Sequence, residues 1–285
     1  MSVAAPAVPM TLARERLSAA LRSSTLIAGL AILTFWIVCA LFGARIAPHD
    51  PYADNLLATL APPSPAHWFG TDQLGRDVLS RVIVGARDIL LVAPLATALG
   101  VALGVVLGLV TGYFRGVIDD IVGRAIDALL ALPLVIIALL ALTAIGTSTW
   151  TVIVVIGIIF APLVARTVRA AVLRERNLDY VAAARLRNES AVYILFVEIL
   201  PNVVPPVIVE ASVRLGYAIF TVATLSFIGF GIQPPSPDWG LAVSESYGLL
   251  DGGIWWPVLF NTLAVASLVI GVNLAADGIQ SVVDA

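Results

Sequence analysis

Long stretches without a formal charge set the plan of this chain. Ser23 to Ala44 is an uncharged run of 22 residues, roughly 33 Å as a helix against a hydrocarbon core of roughly 30 Å, so it predicts a first span. It follows Arg14, Arg16 and Arg22, but it exceeds the roughly 7 to 15 apolar residues of a signal peptide, which favours a retained anchor. Ile89 to Phe114 predicts the second span. The 38 residues from Ala128 to Ala165 would measure roughly 57 Å as one helix and must therefore fold back. Within them only Gly146-Thr147-Ser148-Thr149, followed by the interfacial-type Trp150, is read as a break, so spans three and four meet near residue 148. Span five is expected from about Val203 to Leu225, after Pro201, Pro205 and Pro206, and span six within Gly252 to Ala276, entered through Trp255 and Trp256.

These runs predict an all-α polytopic membrane protein with six transmembrane helices and both termini on one side. Eleven Arg fall in the N-terminal tail, the 115–124 loop and the 166–187 stretch, against four (Arg45, Arg76, Arg81 and Arg87) in the opposite loops. The positive-inside rule makes the termini cytoplasmic. The expected division is a cytoplasmic tail over 1–24 and a single transmembrane domain over 25–285. External loops are expected at about 47–87 and 229–251, with a cytoplasmic loop at about 173–200.

Composition agrees. Hydrophobic residues make up 60% and charged residues 12%, with a mean hydropathy of +0.99, far outside the balance of a soluble domain. All 16 basic residues are Arg, so a lysine-bearing P-loop and a Schiff-base lysine are both excluded. The lone Cys39 forms no intrachain disulfide and is read as packing inside the first span. The two histidines, His49 and His67, fall in the first external loop and are read as solvated, with no metal site expected. A net charge of −3 leaves no basic surface for nucleic acid.

Three features bear on function. Gly100, Gly104, Gly108 and Gly112 form a ridge of small residues on span two, suited to close helix packing. The polar segment Arg166 to Val192 is longer than a turn requires; charge alone leaves open whether it docks a partner or lies on anionic lipid. Glu210 and Arg214, an i,i+4 pair within a span, must face protein or water, lining a path or gate or neutralising each other in the bundle.

The wording of the polar segment is more specific. Asp179-Tyr180-Val181-Ala182-Ala183-Ala184-Arg185, then Asn188, Ser190 and Ile199-Leu200-Pro201, resembles the EAA loop of ABC importer permeases. That resemblance implies a short coupling helix seated on an ATPase subunit. Tyr180, Ala182, Ala183, Ala184, Arg185, Asn188 and Ser190 would be the coupling residues. Ala182 stands where the pattern has Glu, and Asn188 where it has Gly. Phe69-Gly70-Thr71-Asp72-Gln73-Leu74-Gly75-Arg76-Asp77 through Arg81, the run Leu225 to Gly240, and Asn273-Leu274 with Asp277-Gly278-Ile279 resemble the C-type subunit of the dipeptide/oligopeptide/nickel branch of that family. Read physically, Asp72 with Arg76 and Asp77 with Arg81 are acid-before-base pairs that would support a short polar helix leading into span two, read as a solvated cap in preference to a contact with the binding protein. Gln233 to Trp239 is helix-breaking and ends in an interfacial aromatic, so the outer loop at 229–251 should be structured and folded over the outer mouth.

The resemblance implies a MetI-like core with an added N-terminal span and no catalytic site of its own. Its expected partners are a homologous B-type permease, two ABC ATPase subunits holding ATP and Mg, and an extracytoplasmic substrate-binding protein. Peptides are the expected cargo, with nickel or another chelate as the alternative. An ion-coupled carrier, with Glu210 as its intramembrane carboxylate, is the rival from another class.

Overall fold

A computed structural model describes residues 23–283, so the expected tail lies outside the described residues up to residue 22. The described residues form helices: α1 (Ser24–Ile46), α2 (Val78–Phe114), α3 (Gly116–Leu130), α4 (Leu134–Ile145), α5 (Thr149–Glu175), α6 (Asp179–Leu186), α7 (Ala191–Phe227), α8 (Trp239–Ser246) and α9 (Trp256–Val283). Among them α1, α2, α5, α7 and α9 are each long and apolar enough to cross a membrane, and the bent pair α3–α4 makes a sixth crossing if counted as one span.

The expected third span is where the structure departs from the sequence reading. α4 has 12 residues, about 18 Å, too short to cross alone. Pro133 disfavours helical geometry at Leu132, and α3 joins α4 there at 91°. The charged 115–124 stretch, expected as a loop, lies mostly in α3. The break near residue 148 forms as expected, with Ser148 and Thr151 capping α5 reciprocally. α2 begins 11 residues ahead of its apolar run, and α7 begins 12 ahead of Val203, passing through a π-helical stretch at Ile194–Ile199. Pro201 follows two residues after that stretch; a proline ring collides with the carbonyl four residues back, and a widened turn beforehand relieves that.

The central packing is α2 against α5, and the glycine ridge creates it. A Cβ at Gly104 would lie 2.4 Å from Val164 Cβ, and one at Gly108 would lie 2.6 Å from Val168 Cβ. The ridge is thus an intrachain contact. α1 packs along α9 and α2, with Gly29 against the backbone of Gly271 and Ala275. One apolar core joins α1, α2, α5, α7, α8 and α9, while a second binds α6 to α2, α5 and α7. Large apolar side chains such as Phe35, Leu41, Leu140 and Phe220 remain exposed on the helix faces, as expected where lipid or a partner replaces water.

Candidate functional site

At one end α6 sits on a base made by the ends of α2, α5 and α7. Val181 and Ala184 are fully buried against Ile194, Leu195 and Ile199, whereas Asp179, Ala182, Ala183, Arg185 and Leu186 face outward. Two cross-ties fix the seat. Tyr180 donates its hydroxyl to Glu175 Oε2 at 2.7 Å, and burial, followed by that bond, pushes its pKa up to about 12. Arg176 donates to the carbonyls of Gly112 and Tyr113 at 3.2 and 2.7 Å, closing the C-terminus of α2, and Arg185 lies over the Tyr113 ring.

The end of α6 explains the departure at Asn188. That residue has φ +55°, with Asn188 N donating to Arg185 O and Glu189 N to Ala184 O. This is the Schellman arrangement, whose left-handed position favours glycine and next asparagine. Ser190 then caps α7 by accepting from Tyr193 N at 3.2 Å. The seven coupling residues named from sequence therefore divide. Ala182 and Ala183 form an open small-residue surface and Arg185 borders it. Tyr180 and Ala184 anchor the helix, while Asn188 and Ser190 shape the turn. Sequence reading passed over Leu186, which is 85% exposed beside the two alanines; an apolar residue on the polar side of a short helix was the available signal.

Glu210 and Arg214 come together at 2.6 Å, and Thr167 on α5 donates to Glu210 Oε2 at 3.1 Å. Both side chains are mostly buried, so the pair ties α7 to α5 inside the bundle.

At the opposite end the Gly70–Arg81 segment is an internal knot, not a solvated helix. Thr71 and Asp77 pair as an isolated antiparallel bridge. Asp72 accepts from Leu74 N, Arg76 N and Arg76 Nε at 2.9, 2.9 and 2.7 Å. The expected Asp77–Arg81 pair does not form. Asp77 caps α2 through Ser80 N, while Arg81 reaches Asp72 at 3.6 Å and the carbonyls of Pro51 and Ser236 at 3.1 and 3.2 Å. Asp72, Arg76, Asp77 and Arg81 are all buried. Gly70 and Gly75 have φ +72° and +75°, and a Cβ on Gly75 would lie 1.8 Å from Asn55 O, so both positions demand glycine. Arg76 also reaches Glu245 at 3.4 Å, and Trp256 donates to Thr71 O at 3.0 Å. The 229–251 loop is ordered by α8, but Trp239, read as interfacial, is fully buried; it donates to Val82 O at 2.9 Å and packs edge-on against Trp36.

The family model described as binding-protein-dependent transport system inner membrane component matches residues 104–285. The chain belongs to this family. A second model, for the N-terminal TM domain of oligopeptide transport permease C, matches residues 12–63, the region of the added span α1. Among relatives, the dipeptide transport system permease protein DppC of Escherichia coli (strain K12) is 41% identical, over 99% of this chain and 95% of that protein. The DppC of Bacillus subtilis (strain 168) is 35% identical over 90% of this chain and 80% of that protein. A solved structure of the MetNI methionine ABC transporter, in an inward facing conformation, has a TM-score of 0.57 at 18% identity, covering 70% of this chain and 95% of the matched chain; it shares the fold. This family member is thus a multi-pass inner membrane component of a binding-protein-dependent transport system, with a MetI-like core and an added N-terminal span.

Proposed function

We propose that the chain is the C-type half of the translocation pathway in an ATP-driven importer of di- or oligopeptides. The observation that carries this reading is the end-to-end match to a dipeptide permease at 41% identity. Its partners in this reading are a homologous B-type permease, two ABC ATPase subunits that hold ATP and Mg, and an extracytoplasmic binding protein. The termini face the cytoplasm, as the Arg distribution supports, so α6 lies on the cytoplasmic side and the Gly70–Arg81 knot outside.

The coupling surface is Ala182, Ala183 and Leu186, bordered by Arg185. Small residues let the ATPase approach closely, and the exposed Leu186 offers it an apolar contact. Because Val181 and Ala184 belong to the same core as Ile194, Ile199, Val168 and Leu109, a displacement of α6 on ATPase closure moves the ends of α2, α5 and α7 together. Rocking of the two permease halves then alternates access to the path. Glu210 and Arg214 hold α5 and α7 in register during that motion, and the knot gives the binding protein a firm outer surface.

The test is uptake of a labelled dipeptide by cells lacking the chain and complemented with it. Uptake that requires the binding protein and survives collapse of the proton gradient, provided ATP is maintained, supports the proposal. Uptake abolished by the uncoupler at constant ATP contradicts it and favours the ion-coupled carrier. Competition by a nickel chelate, with none by peptides, assigns the alternative cargo.

A further inference from the structure

The outer knot brings together three side chains that the sequence separates. His49 follows α1, His67 closes a turn at Ser64, and Asp77 caps α2. His67 Nδ1 lies 2.8 Å from Asp77 Oδ1, and His49 Nδ1 lies 3.7 Å from the same oxygen. One ligand atom from each of the three falls within 4.8 Å of the others, the sole such group among the described residues.

Hydrogen bonding within the group accounts for only part of this arrangement. The His67–Asp77 contact is an ordinary hydrogen bond, but 3.7 Å is too long for one from His49. That imidazole is nonetheless held beside His67, with ring centroids 4.7 Å apart. Ligands bound at about 2.0 to 2.1 Å around a tetrahedral ion stand roughly 3.3 Å apart. The two separations from Asp77 Oδ1 bracket that value and every pair lies within 4.8 Å, so side-chain rotations, largest at the exposed His49, bring both imidazoles and the carboxylate onto one ion. Charge points the same way. Asp77 is buried, and Arg81, four residues on, turns to Asp72, Pro51 and Ser236. Among the described side chains its ion-pair partners are these two histidines alone, so no arginine competes for Oδ1, and a cation there would add to the partial compensation that Ser80 and the start of α2 supply.

The surroundings orient the donors. Ser80 N and Oγ donate to Asp77 Oδ2 at 2.8 and 2.7 Å, and His49 N donates to Ser80 Oγ at 3.0 Å. One carboxylate oxygen is thereby fixed and the other left toward the histidines, the supporting-bond pattern of metal ligands. His49 has 45% of its side chain exposed, which gives an ion an entry path and a solvent-facing fourth position.

We propose that His49, His67 and Asp77 bind a divalent transition-metal ion of the Zn2+ type on the outer face. Two nitrogens and one carboxylate suit Zn2+ over Mg2+ or Ca2+, which prefer oxygen donors. The bound ion staples the segment after α1 to the start of α2.

The test uses the full chain, purified through a tag without histidine, stripped of metal and titrated with Zn2+ by calorimetry. One equivalent per chain is expected, with Co2+ in its place giving a visible tetrahedral absorption. His49→Ala, at an exposed position, should keep its elution profile yet bind Zn2+ at least about a hundredfold more weakly, beyond the usual loss from a missing supporting bond. His67→Ala should do the same, while Cys39→Ala should bind as the parent does. Absence of stoichiometric binding, or binding unchanged in the well-folded His49→Ala chain, overturns the proposal. A merely structural cluster would show a lowered melting temperature in the His67 variant without any Zn2+ binding.

Discussion

Asn188 and Asp238 are the residues whose local physics predicts most. At φ +55° Asn188 occupies backbone space in which a β-branched side chain costs about 1 to 2 kcal/mol. Asn188→Gly should therefore preserve or raise the melting temperature, and Asn188→Val should lower it, measured in detergent by tryptophan fluorescence. Asp238 Oδ1 accepts from Leu241 N at 2.9 Å, but its Oδ2 is buried without a partner. Burial pushes this carboxyl up to about 6 from an unfolded value near 3.9. The folded chain thus keeps a proton that the unfolded chain has lost between about pH 4 and 6, so the stabilisation present below pH 4 is lost as pH rises through 6. Asp238→Asn keeps a capping oxygen; it should abolish that slope and raise the melting temperature at neutral pH. Asn188 was legible in the sequence because it stands where the resembled loop has glycine. The burial of Asp238 and Trp239 was not, since a loop rich in proline and serine reads as solvent-exposed until α8 is seen packed under it.

Among the elements, the α2–α5 pair and α6 separate stability from coupling. Gly104→Leu places side-chain atoms where Val164 already stands and should cost at least about 3 kcal/mol, the upper range for overpacking, seen as loss of the monodisperse chain on size exclusion. In α6, Ala183→Trp stays on the open surface, so the chain should insert and purify normally while ATP hydrolysis no longer drives uptake. Ala184→Trp adds bulk inside a core and should fail earlier, at folding. Wild-type uptake in a well-expressed Ala183→Trp variant would remove α6 from the coupling role. Periodicity alone could have separated these two alanines, because Val181 and Ala184 are three apart on the apolar face. The spans themselves were legible because lipid demands about 20 apolar residues. What the uncharged runs hid was helix continuing beyond them: α2 opens with a polar turn that protein buries at Ser80 and Arg81, α7 opens with partly exposed turns around Tyr193 and Glu198, and Pro133 ends a helix inside an apolar run.

For the whole molecule, the two structured ends lie on one bundle whose helices expose apolar faces to lipid or to a partner. The family was readable because three separated stretches occur in order. The geometry of the outer knot was not, since i,i+4 spacing suggested a helix where Asp72 instead closes a tight loop and Arg81 crosses to Ser236. Glu210→Gln should lower stability through the contacts with Arg214 and Thr167 and should give uptake no new dependence on the proton gradient. In the proposed function this chain works as the membrane half of an ATP-driven importer. The most direct measurement is isolation of the tagged chain from its host in mild detergent, with mass spectrometry and an ATPase assay on the eluate. A second permease, P-loop subunits and vanadate-sensitive hydrolysis are expected; a monodisperse chain free of any ATPase would rule that function out.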